Sequence, residues 1–88
     1  MQLRTEQVGV AFWNKRNAMG SSVHSSGDKL FSYGTVLLQR LPSGRVIGNA
    51  TKYSTTTSKH QSQVGVRTAD VLVTGVPRGE TDLKRYVK

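Results

Sequence analysis

Cysteine is absent from the chain, which excludes disulfide staples, thiolate zinc sites and thiol catalysis. A domain this small that does without disulfides is expected in the cell interior. Long apolar runs are missing as well, so no transmembrane helix is expected. The opening MQLRTEQVGV lacks the continuous apolar segment of a signal peptide, and the expected location is cytoplasmic. Acidic residues are scarce: five Asp and Glu stand against thirteen Lys and Arg, a formal net charge of +8. Imidazoles are limited to His24 and His60. The aromatic inventory is short too: Phe12, Trp13, Phe31, Tyr33, Tyr53 and Tyr86. A domain of this size needs most of those rings for its core.

What is present is a set of apolar clusters set among polar residues: AFW at 11–13, VLL at 36–38, VI at 46–47 and VLV at 71–73. They suffice for one small basic domain over residues 1–88 and argue against disorder. The cationic excess attracts polyanions, with nucleic acid first. Lys and Arg are scattered from one end of the chain to the other, so any basic face has to be assembled by folding.

Residues 5–19, TEQVGVAFWNKRNAM, predict a helix with Val8, Ala11, Phe12 and Met19 on one stripe, Thr5 as its cap and Gly20 as its stop. Ser26-Gly27-Asp28 is turn chemistry, and residues 29–33 suit a strand. Residues 35–41 and 45–51 flank LPSG at 41–44, a β-hairpin signal. A four-residue loop there would set Arg40 opposite Arg45, and a three-residue loop would not. Ser58 followed by Gln61 matches a capping box and predicts a short helix over 59–66. ADVLVTGV at 69–76 reads as a buried strand, and the end of the chain as a helical turn or edge strand. The expected fold is α+β: an N-terminal helix packed on a small antiparallel sheet of about three to five strands, with a short helix after the central hairpin.

The stretch KYSTTTSKHQSQVGVR at 52–67 carries the chemistry. It holds six hydroxyl side chains among two lysines, one histidine and two glutamines. A helix N-terminus has unpaired N–H groups and partial positive charge, and hydroxyls, amides and lysines are the groups that contact phosphates. Serines and threonines before a helix also serve simply as caps, and surface lysines are often just solvated. With the basic excess added, the expected function is non-catalytic nucleic-acid binding, to DNA or RNA. Arg40, Arg45, Lys52, Lys59 and Arg67 would supply charge. Thr56 and Ser58 would supply hydrogen bonds, with Tyr53 and His60 as stacking rings. No cofactor, metal site or membrane partner is expected, and exposed sheet edges leave a homodimer open. Enzymatic readings have less behind them. Ser58, His60 and Asp70 match a triad by residue type alone, and Lys59, His60, Arg85 and Tyr86 could serve a small metal-free ribonuclease. His24, Asp28 and His60 lack metal-ligand spacing.

LFSYGT at 30–35, the hairpin, and NATKYSTTTSKHQ at 49–61 together resemble a pattern of small uncharacterised bacteriophage-encoded proteins, spanning residues 5–66. The resemblance implies a viral origin and a place inside the host cell, and it carries over no activity and no functional residues. It also implies a rival function, an inhibitor or modulator that binds the acidic or nucleic-acid-binding surface of a host protein.

Overall fold

The computed structural model describes residues 3–87. Helix α1 (Thr5–Trp13) leads into five strands: β1 (Ala18–Met19), β2 (Val23–Ser26), β3 (Lys29–Ser32), β4 (Thr35–Arg40) and β5 (Val46–Asn49). Helix α2 (Thr55–Gln63), a 3-10 turn (Val66–Thr68), β6 (Val71–Val73) and a second 3-10 turn (Lys84–Tyr86) complete the chain. One six-stranded sheet runs in the order β1 to β6. The class is α+β as expected, but the sheet is larger than three to five strands and is mixed. Strands β1 to β5 pair antiparallel, and β6 pairs parallel to β5. Parallel neighbours need a crossover connection, and α2 is that crossover.

Helix α1 ends earlier than its sequence suggests. The Asn14 side chain donates to the carbonyl of Val10, and Lys15 takes a left-handed φ of 61°. The chain therefore turns before Met19, which leaves the helical stripe, joins β1 and is 64% exposed. Thr5 is not the cap: the Arg4 amide is held by the side chain of Gln7. Gly20 is not the stop, but is buried beside Leu3 and Val23.

The hairpin also resolves. Leu41 N donates to Arg45 O and Gly44 N to Leu41 O, closing a three-residue Pro42-Ser43-Gly44 loop with Gly44 at φ 92°. Arg40 thus pairs with Val46 rather than facing Arg45. Its guanidinium turns inward, lies 4.5 Å from the Phe12 ring centroid and donates to the Phe12 carbonyl. Its other nitrogen, Nη1, has no hydrogen bond and only the Asp28 carboxylate at 3.5 Å.

Both faces of the sheet are covered. On one, α1 and α2 bury Val8, Phe12, Leu30, Leu37, Leu38 and Val64. On the other, residues following β6 bury Val36, Ile47, Val73, Val76 and Leu83. Every residue of β4 is consequently buried. Its register against β3 slips by one: Phe31 opposes Val36 while Leu30 opposes Leu38. Leu37 is the extra residue, and this bulge lets Leu37 and Leu38 share the helix-covered side. The buried Gln39 amide is satisfied by the C-terminal segment, donating to Asp82 and accepting from the Leu83 amide. The segment 69–76 is not the buried strand its sequence suggests. Only Val71–Val73 pair, at the sheet edge, and Leu72 is exposed.

The two helices meet closely at Gly9, where an added Cβ would lie 2.9 Å from the Val64 Cα. Alanine gains roughly 1 kcal/mol over glycine in a helix interior, whereas overpacking a fixed backbone costs about 1–3 kcal/mol. Gly9→Ala is therefore expected to lower the urea midpoint at unchanged m-value. An unchanged or raised midpoint would mean that the helices separate freely.

Candidate nucleic-acid interface

Helix α2 starts four residues before the expected position. Ser54, not Ser58, is the cap: its Oγ accepts from the Thr57 amide at 3.3 Å and donates to Thr57 Oγ1 at 3.2 Å. Gln61 does not close a capping box. Its Nε2 donates to the carbonyls of Asn49 and Thr51, tying the helix to the segment leaving β5. Three consecutive threonines are weak helix formers, so their helical state reflects packing more than propensity. Thr57, His60 and Val64, three and then four residues apart, are the buried positions that seat α2 on the sheet.

His60 is consequently an interior residue rather than a surface ring. Its Nδ1 lies 2.8 Å from Ser32 Oγ, and the Tyr33 ring sits against it at 5.7 Å between centroids. Burial lowers its pKa below the ordinary 6.5, and the Lys59 charge lowers it further, so the imidazole is neutral at pH 7.

Two clefts open beside the start of α2. The first, about 300 Å³, takes Ser32, Tyr33 and Thr35 from the β3–β4 turn; Tyr53, Ser54, Thr56 and Thr57 from the entry to α2; and Arg78 from beyond β6. Tyr53 is fixed there by its hydroxyl, which donates to Val76 O and accepts from Asn49 Nδ2. The Arg78 guanidinium lies 5.9 Å from the Tyr53 ring centroid. The second cleft, about 250 Å³, is lined by Lys52, Thr51 and Ala50, by Ser58, Gln61 and Ser62 of α2, and by Val66 and Arg67. Adjacent residues Lys52 and Tyr53 thus serve different clefts.

None of the five acidic residues lines either cleft. Each is engaged elsewhere: Glu6 with Gln63, Asp28 with Arg40, Asp70 with the Val46 amide, Glu80 with Tyr86 and Arg85, and Asp82 with Gln39. Among the described residues only Arg40 and Arg85 form ion pairs. The other described Lys and Arg side chains form no ion pair with a carboxylate.

The residues expected to bind divide accordingly. Tyr53 and Thr56 line the first cleft, and Lys52, Ser58 and Arg67 line the second. Lys59 lies on α2 and Arg45 just after the hairpin loop, lining neither cleft. Arg40 and His60 are buried, so the structure removes both from the surface set. Tyr33 and Arg78 went unanticipated as site residues. The Tyr33-Gly34 pair between two strand patterns is a readable turn signal, whereas nothing local marks Arg78. The enzymatic constellations are not gathered. Asp70 holds a β5 amide while His60 holds Ser32, and Tyr86 packs on the sheet face opposite α2. His24 stacks on Phe31 at 5.1 Å. Among the described residues no group of three His, Asp or Glu could hold a metal ion, and no helix is long and apolar enough to cross a membrane.

No family model, curated protein or solved structure matches this chain.

His60 generates a pH dependence. The unfolded chain takes up its proton near pH 6.5, before the folded chain does. Its contribution to stability is therefore complete above that pH and is lost as pH falls toward the lowered folded value. Glu80 and Asp82 act in a separate window. Their carboxylates, held below the ordinary 4.5 and 3.8 chiefly by the Tyr86 hydroxyl and the Gln39 amide, lose their contributions only at lower pH. Urea midpoints between about pH 8 and pH 5 should fall for the wild type and stay flatter for His60→Gln. Parallel pH profiles would contradict a buried, neutral His60.

Proposed function

We propose that the protein binds nucleic acid without catalysis, chiefly through phosphates, as an accessory protein of the phage-encoded kind its sequence resembles. One observation carries this reading: hydroxyls and unpaired cations line two clefts at the start of α2, and no carboxylate lines either. The amides of Thr55 and Thr56 bond to no other described residue, as befits a first helical turn. Thr56 lines the Arg78 cleft and Ser58 the Lys52–Arg67 cleft, and α2 has no acid in its first turn. Amides, hydroxyls, Lys and Arg in this combination suit phosphate oxygens.

The reading also sets an expectation about mechanism. Phosphate contacts release counterions, so affinity should fall steeply with salt and depend little on base sequence. Fluorescence anisotropy of a labelled oligonucleotide at several salt concentrations measures both. Lys52→Ala/Arg67→Ala and, separately, Arg78→Ala are expected to weaken binding. Each should reduce the log–log salt slope by about 0.7–0.9 for every phosphate left without its cation. Variants that bind like the wild type would move the site elsewhere. A wild-type protein that ignores oligonucleotides in dilute salt would overturn the function itself.

A further inference from the structure

Tyr33 stands in a position that stability alone would not give to tyrosine. Strands β3 and β4 are joined by two residues, Tyr33 and Gly34, at φ 49° and 80°, with Ser32 pairing to Thr35 across the turn. Two-residue turns with positive φ at both central positions strongly favour Asn-Gly, and a bulky side chain there is strained. The strain is not offset by burial, because Tyr33 is 65% exposed. Its placement is nonetheless well defined: its amide donates to Ser22 O at 3.0 Å, and the His60 ring lies tilted 31° against its own. Strained backbone under a defined, exposed side chain points toward use at a site.

The surroundings indicate what that use is. Tyr33 shares its cleft with Arg78, Ser54 and Thr56, cationic and hydroxyl groups that suit a phosphate. The cleft volume of about 300 Å³ is at the small end for ligand sites, enough for one nucleoside-sized group. In a duplex the base faces are stacked inside and out of reach of such a ring. In a single strand they can splay outward onto an aromatic face. We propose that the ligand is single-stranded, with one unpaired base stacked on Tyr33 and its adjoining phosphate on Arg78. This rests on the nucleic-acid reading above and narrows it to one strand form. Sugar chemistry is left to the experiment, since base and phosphate are common to DNA and RNA.

The turn supplies its own test. Tyr33→Asn creates the favoured Asn-Gly pair, so it should keep or raise the urea midpoint while removing the ring. Anisotropy titrations would use labelled oligothymidylate, oligouridylate and a DNA duplex of matched length. Wild type is expected to prefer one or both single strands over the duplex. Tyr33→Asn should weaken single-strand binding by roughly 5- to 150-fold, the range for removal of one base–aromatic stack, with duplex binding unchanged. Tyr33→Trp should retain single-strand binding. Equal affinity for single strands and duplex, or a folded Tyr33→Asn that binds single strands like wild type, overturns the single-strand inference and leaves phosphate binding standing. Absence of salt-dependent binding to every oligonucleotide overturns both.

Discussion

Strand β4 is covered on both faces, and the rest of the molecule is arranged around that constraint. A strand with one wet face could follow simple alternation, but TVLLQR at 35–40 has to satisfy two apolar layers together. The bulge at Leu37 turns two adjacent leucines toward the helices and leaves Val36 for the opposite layer. Gln39 and Arg40 then project polar groups into closed space, where each needs partners. Gln39 finds them in Asp82 and Leu83, which draws the C-terminal segment across the sheet and carries Arg78 with it. Arg40 finds a hydrogen-bond acceptor at the end of α1, while its Nη1 has only the Asp28 carboxylate at 3.5 Å. Arg78 is the one residue that the C-terminal segment contributes to the first cleft.

Charge is divided by the same packing. The few carboxylates are engaged inside the molecule, holding a strand amide, a buried glutamine, a tyrosine hydroxyl and two arginines. Surface ion pairs contribute little to stability, so most of the cations can go without internal partners. The outcome is a pair of clefts beside the start of α2 that hold cations and hydroxyls and no carboxylate. Tyr33 lies in the same region, a strained and exposed residue lining the first cleft.

Much of the local structure was legible because its causes are local. Phe12 and Val8 mark the first helix, Pro42-Ser43-Gly44 marks the hairpin, and the hydroxyl run at 54–58 marks a capped helix start, though misplaced by four residues. The misplacement has a clear origin. Ser58 and Gln61 fit a capping box as a string, but Gln61 is occupied by the carbonyls of Asn49 and Thr51, which only the folded linker presents. The early end of α1 and the two-residue β1 were hidden in a helical pattern that Met19 completed by coincidence. The cover formed by residues 74–87 was not legible, because it is anchored by Leu83 and by the bond from Tyr53 to Val76, contacts between distant parts of the chain.

The amino-acid sequence alone determined the cationic excess, the lack of thiol chemistry, the mixture of helix and strand, and the hydroxyl-rich entry to α2. These follow from composition or from neighbours along the chain, and folding does not alter them. Tertiary structure alone decided which cations remain available, that Arg40 and His60 lie inside, and that Tyr33 meets Arg78 across one cleft. Each of those outcomes depends on partners brought together from distant parts of the chain. Whether a charged or aromatic group faces water or a neighbour is set by what packs over it, and no local pattern records that.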